Sequence, residues 1–296
     1  MKDDRRALVL GLSAVFLWST VATAFKIALG QLDVFQLLLY SCLVSALVLL
    51  VVVLVRGQAK LLLEYLLDTP GYFLAVAALN PCIFYLVLLT AYDLLPAQQA
   101  QAINYTWAIT LSLMAVPLLG QRFGSSDILA TLLGYAGVLI IATRGEVTSL
   151  AFDSGRGVSL ALLSTVVWAY YWILSARNTR DPAVSLCLNF LLALPICLVL
   201  CLWLSSPWVP VWPGLFAAAY VGLFEMGLTF LLWSSALRVT SNVGRISSLI
   251  FLAPFLSLVF IQTILGESIH LATLLGLCLI VPAALWQQRQ ALSLRV

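Results

Sequence analysis

The sequence predicts an all-α integral membrane protein with ten transmembrane helices. They form two inverted five-helix repeats, residues 1–146 and 147–296, with both termini in the cytoplasm. Three observations carry this expectation. First, 63% of the residues are hydrophobic and 9% charged, with a mean hydropathy of +1.08, which leaves too little polar surface to cover a soluble globule of this size. Second, the chain breaks into ten apolar runs with short connections. A helix needs about 20 residues to cross the hydrocarbon core, and helices are the open-ended structure that satisfies its own backbone in lipid. Third, the hexapeptide LATLLG occurs at Leu129–Gly134 and again at Leu271–Gly276, in the last run of each half.

The runs lie in order at 8–29, 34–55, 72–92, 97–119, 128–143, 157–176, 183–204, 213–237, 243–265 and 270–287. The first contains Ala22-Thr23-Ala24, a signal-peptidase-like string. Its uncharged stretch from Ala7 to Phe25 is long for a signal core and ends in Lys26, so it reads as a retained span. The third holds Asn80 directly before Pro81, and the fourth opens with the amide-rich string QQAQAINYTW. The sixth carries the aromatic string VVWAYYWIL. The eighth carries Glu225, and the ninth Ser247, Ser248 and Pro254. Nothing is left over for a soluble domain.

The surroundings of LATLLG match as well. At a shift of 145, Ala91-Tyr92-Asp93 falls on Ala236-Leu237-Arg238, each at a short junction between runs; Gly120 and Gly266 end the following runs at a shift of 146. From there the halves read GQRFGSSDILATLLG and GESIHLATLLG, so a loop four residues shorter explains the hexapeptide offset of 142. Trp18 pairs with Trp168 at 150. Each unit then holds five spans, and an odd number forces the second copy to start on the opposite side of the membrane. The basic residues agree independently. Lys2, Arg5, Arg6, Arg56, Lys60, Arg122, Arg177, Arg180, Arg238, Arg289 and Arg295 fall on the cytoplasmic side, against Arg144 and Arg156 outside.

Several function classes are excluded. No basic face with interleaved aromatics suggests nucleic-acid binding. The six cysteines sit in apolar runs without metal-ligand spacing, and one histidine, His270, makes no metal cluster. GxSxG, P-loop and HExxH patterns are absent, so neither an enzyme nor ATP-driven transport by this chain is expected, and no cofactor is implied. Two inverted repeats point instead to alternating access around a midplane cavity, with a small-molecule substrate and the lipid bilayer as partners. A non-transporting scaffold would not need polar groups in its spans.

Those polar groups are the candidate site. At helical spacing Gln101, Asn104 and Tyr105 share a face, with Gln98 one turn earlier; that face lines water, substrate or another polar helix. Trp168, Tyr171 and Trp172 repeat the i, i+3, i+4 spacing. With Trp107 they supply aromatic surface, while Trp203, Trp208 and Trp212 read as interfacial anchors. Glu225 is the one acidic or basic residue between Pro182 and Leu237. A central carboxylate costs about 2.5–3.5 kcal/mol on insertion scales, so it avoids lipid. Three roles stay open for it: binding a substrate ammonium, titrating in proton coupling, or pairing with Lys26 or Arg245. Its counterpart at a shift of 145 is Asn80; Tyr85 on the same span and Thr229, Ser247 and Ser248 complete the candidate lining.

The second half, NVGRISSLIFLAPFLSLVFIQTILGESIHLATLLGLCLIVPAAL, resembles the repeat of the drug/metabolite (EamA-like) transporter superfamily, with Pro254, Gly266, Glu267 and Gly276 in its pattern. The first half departs at Gly120-Gln121-Arg122, where the acidic residue is missing. LWST at 17–20, NYTW at 104–107 and the aromatics at 168–172 resemble the YddG-type exporters of aromatic and other amino acids. The resemblance implies a monomeric, multi-pass inner-membrane secondary transporter of neutral amino acids; within the fold, another small metabolite or a cationic drug is the alternative substrate. A cytoplasm-dependent fluorescent reporter fused after Val296 should be active, and an export-dependent phosphatase inserted between Arg144 and Arg156 should be active too; the opposite pattern would invert the topology.

Overall fold

The computed structural model describes residues 3–120, 124–148, 152–208 and 212–293, with side chains to 287. Lys2, Gln121, Arg122 and Arg295, and the side chain of Arg289, lie outside the described residues. The described chain is helical, without strands. Among the described residues, nine helices are long and apolar enough to cross a membrane: α1 (Asp4–Leu29), α2 (Val34–Val55), α3 (Pro70–Leu94), α4 (Ala97–Leu119), α5 (Ser125–Ala142), α6 (Gly155–Ala176), α7 (Pro182–Leu204), α8 (Trp212–Val239) and α9 (Val243–Leu265). The tenth, α10 (Leu271–Ser293), is apolar over the shorter stretch Leu271–Gln287. A short helix absent from the sequence expectation, Ala59–Asp68, joins α2 to α3; Leu63 and Leu67 are exposed on it.

Several long helices are broken, each for a local reason. In α1 the Ser19 and Thr20 hydroxyls bond back to the Phe16 and Leu17 carbonyls, at 2.6 and 2.7 Å, and the helix restarts at Val21. In α3 the residue before Pro81 is driven out of the helical region, so Asn80 stands at φ −139°, ψ 115°. In α4 Thr106 turns its hydroxyl and its N–H onto the Ile103 carbonyl, and a new helix begins at Trp107. A wide π segment, Val221–Leu228, interrupts α8, and a tight turn, Ser248–Leu252, interrupts α9 just before Pro254. Gly120 and Gly266 end α4 and α9 in the same left-handed conformation, at φ +66° and +69°, which glycine adopts without a Cβ penalty.

Packing follows pairs. The largest contacts are α1 on α8, α5 on α10, α2 on α7, α2 on α8, α1 on α9, α4 on α6, α3 on α6 and α3 on α7. Exchanging each helix for the one five places along turns this set into itself. The repeated hexapeptide sits in the α5–α10 pair. A Cβ on Gly276 would stand 2.6 Å from the Gly137 carbonyl oxygen, and one on Gly137 2.6 Å from the Gly276 oxygen, so the two backbones touch. Gly134 packs against Ile109 of α4, and Gly222 of α8 against the Ser41 carbonyl of α2.

Replacing Gly276 by Leu should force α5 and α10 apart and lower stability by roughly 1–3 kcal/mol. Thermal unfolding in detergent reads this. Gly71→Ala, where a Cβ meets nothing within 4 Å, should not lower the midpoint.

Candidate functional site

Helices α1, α3, α4, α6, α8 and α9 enclose a cavity of about 420 Å³, with one residue of α10, Ala284, at its edge. Of the six, all but α6 carry a break, and the breaks fall beside the lining: Thr20 between Trp18 and Val21, Tyr105–Thr106 before Trp107, and the π segment at Glu225. Irregular backbone at membrane depth is tolerated where it meets a cavity rather than lipid.

Eleven aromatic side chains contribute to its wall. Trp168 stacks on Phe84 with ring centroids 4.3 Å apart and meets Trp172 edge-on at 5.9 Å. Trp18 meets Phe230 and Trp233 edge-on, each at 5.5 Å, and Phe230 lies 6.0 Å from Trp168. Trp18 and Trp168 thus bracket one phenylalanine. Trp107 also lines the cavity, whereas Trp203, Trp208 and Trp212 are exposed on the outside.

The amides of α4 divide by role. Gln98 is locked: its Nε2 donates to the Ser268 carbonyl at 2.9 Å, and its Oε1 accepts from His270 N and the Thr273 hydroxyl at 3.0 and 2.8 Å. Gln99 donates to Asp153 at 2.8 Å. Asn104 lines the cavity while donating to Ser164 Oγ at 2.9 Å, and Gln101 and Tyr105 line it too.

Glu225 faces the cavity, accepting from the Tyr85 hydroxyl at 3.1 Å through Oε1; Oε2 is buried without a protein partner. Of the three roles left open for Glu225, the ion pair with Lys26 or Arg245 is not formed. Lys26 Nζ donates instead to the Tyr92 and Leu95 carbonyls, at 2.9 and 3.1 Å, because those carbonyls close the α3–α4 junction just above it. Arg245 is exposed at the start of α9 and is not part of the cavity lining. Four further candidates miss the lining. Asn80 is buried at the α3 kink, Tyr85 is buried behind Glu225, the Thr229 hydroxyl bonds the Phe224 carbonyl, and the Ser248 hydroxyl bonds the Arg245 carbonyl. Ser247 does line the cavity.

The cavity has a closed and an open end. At the closed end Glu267 accepts from Ala97 N at 3.0 Å and faces Gln98 N at 3.5 Å, so it caps α4 from the α9–α10 junction. The Lys26 and Gln98 contacts lie in the same layer, as does the pair of Arg144 with Asp153 at 2.7 Å. Toward the other end the wall runs out to Leu119, Ala176 and Leu237, beside the exposed ends of α4, α6 and α8. Phe25, Phe84, Leu88, Tyr92, Phe230 and Trp233 are among the lining residues not anticipated from the sequence. Of these, Phe84, Leu88 and Tyr92 recur at every fourth position, which was the available signal. Among the described residues, no three His, Cys, Asp or Glu side chains are placed to hold a metal ion.

A multi-pass helical membrane protein with a central cavity, sealed at one end by bonded helix junctions and open at the other, has the build of a transporter. The chain belongs to the EamA-like transporter family, whose profile matches residues 5–143 and 155–286. Similar proteins include the aromatic amino acid exporter YddG of Ancylobacter novellus, 26% identical over 253 residues covering 85% of this chain and 86% of that protein. The uncharacterized transporter YvbV of Bacillus subtilis is 26% identical over 285 residues, 95% of this chain and 90% of that one. A solved crystal structure shares the fold, with a TM-score of 0.68 over 98% of both chains at 22% identity.

The division among the amides is testable by thermal unfolding. Gln98→Ala strips partners from a buried junction and should cost about 1–3 kcal/mol. Gln101→Ala, at the cavity wall, should leave the midpoint within experimental error; equal losses would assign both to helix packing.

Proposed function

We propose that this protein is a secondary transporter that exports aromatic and other neutral amino acids across the inner membrane by alternating access of two inverted repeats. The observation that carries the reading is the cavity. Its volume of about 420 Å³ lies in the range of small-molecule sites, and its wall offers tryptophan and phenylalanine faces with a few polar groups. The similarity to an exporter named for aromatic amino acids supports the same substrate class.

Three features support the repeats. The helix pairs exchange onto one another under a five-helix shift, the breaks at Asn80 and Tyr105 fall 145 positions before Glu225 and Ile250, and the caps at Gly120 and Gly266 are alike. With the orientation set by the basic residues, the open end faces the cytoplasm. That is the state in which an exporter loads. The tie of Lys26, Gln98 and Glu267 is then the outer closure, which must part for release.

Counterflow in proteoliposomes tests the function. Unlabelled tryptophan, phenylalanine and leucine should each compete with labelled tryptophan, and Trp168→Ala should weaken that competition about tenfold, the scale of losing one buried aromatic contact. Failure of all three to compete would remove the amino-acid reading.

A further inference from the structure

Glu225 is the only charged residue in the cavity wall among the described residues. Its position is built rather than incidental. The π segment Val221–Leu228 carries it, Tyr85 fixes Oε1 from behind, and Oε2 is left without a protein partner. The cations nearby are engaged elsewhere. Lys26 is held by two carbonyls, Arg177 donates to the Leu118 carbonyl at 3.0 Å, and Arg238 lies 3.7 Å from Asp181.

We propose that Glu225 anchors a substrate ammonium, and that the site therefore prefers aromatic amines and amino-acid amides over the free amino acids. This deepens the transport reading above and rests on it. A carboxylate away from water is best met by a charged donor, since charge-assisted hydrogen bonds are roughly twice as strong as neutral ones. An ammonium at Oε2 leaves its ring to stack within the Trp168, Phe84 and Phe230 group. In a free amino acid the α-carboxylate sits on the carbon that bears the ammonium, so it is brought close to Glu225 as a like charge. The wall offers that carboxylate neutral donors only, such as the Gln101 amide and the unpartnered Trp172 Nε1. Replacing the carboxylate by hydrogen or an amide removes the repulsion and leaves the anchor.

Isothermal titration of the full chain in nanodiscs with tryptamine, tryptophan and indole-3-propionate separates the charges. Tryptamine should bind about tenfold tighter than tryptophan, as expected for one charge-assisted contact freed of opposition, and indole-3-propionate weakest. Glu225→Gln should erase the difference between tryptamine and indole-3-propionate, while Glu225→Asp keeps the order. Tryptophan binding as tightly as tryptamine, or an order unchanged in Glu225→Gln, would overturn the proposal and leave amino-acid transport standing. Binding of none of the three would remove both. Uncharged 3-methylindole reports whether the Gln variant keeps its cavity; where it does not, the wild-type order decides.

Discussion

A backbone group in hydrocarbon has no water to turn to, so every interruption of a spanning helix must find its partner inside the protein. That constraint organises this molecule. The interruptions in α1 and α4 are satisfied by hydroxyls folding back on the preceding turn, and the Thr229 hydroxyl serves the same purpose where the π segment of α8 ends. Breaks that are tolerated only away from lipid collect around one interior, and the cavity lies where they converge.

Two kinds of contact surround it. The α5–α10 pair is backbone on backbone through Gly137 and Gly276, with no room for either helix to shift without losing the fit. The closed end is held differently, by a few polar contacts: Glu267 on the start of α4, Gln98 on the start of α10, and Lys26 on two carbonyls. Such groups can exchange protein partners for water at modest net cost. A rigid glycine seam beside a closure made of exchangeable hydrogen bonds suits a protein that opens at one end while keeping its frame.

The frame was legible in the sequence because hydropathy and backbone satisfaction decide it. Ten runs, the left-handed glycines after α4 and α9, and the face shared by Gln101, Asn104 and Tyr105 all follow from local rules. The kink at Asn80 had a signal in Pro81 that went unused; the break at Thr106 had none, because a threonine hydroxyl gives no warning of which carbonyl it will choose. Partners across the fold were less legible still. Glu225 and Lys26 looked like a pair by charge alone, but the α3–α4 junction offers Lys26 two carbonyls, and only tertiary placement reveals them. The role of Glu267 was likewise hidden: its carboxylate serves a helix start 170 positions away.

The most direct measurement is of distance at both ends. Spin labels at Asp93 and Ser268 flank the closed end, and labels at Leu119 and Val243 flank the open one; all four positions are exposed. In lipid nanodiscs, exchange of two halves about a central cavity predicts two populations in each pair, the first lengthening as the second shortens when a transported amino acid is added. A single distance at both ends, or two distances that change in the same direction, would contradict it.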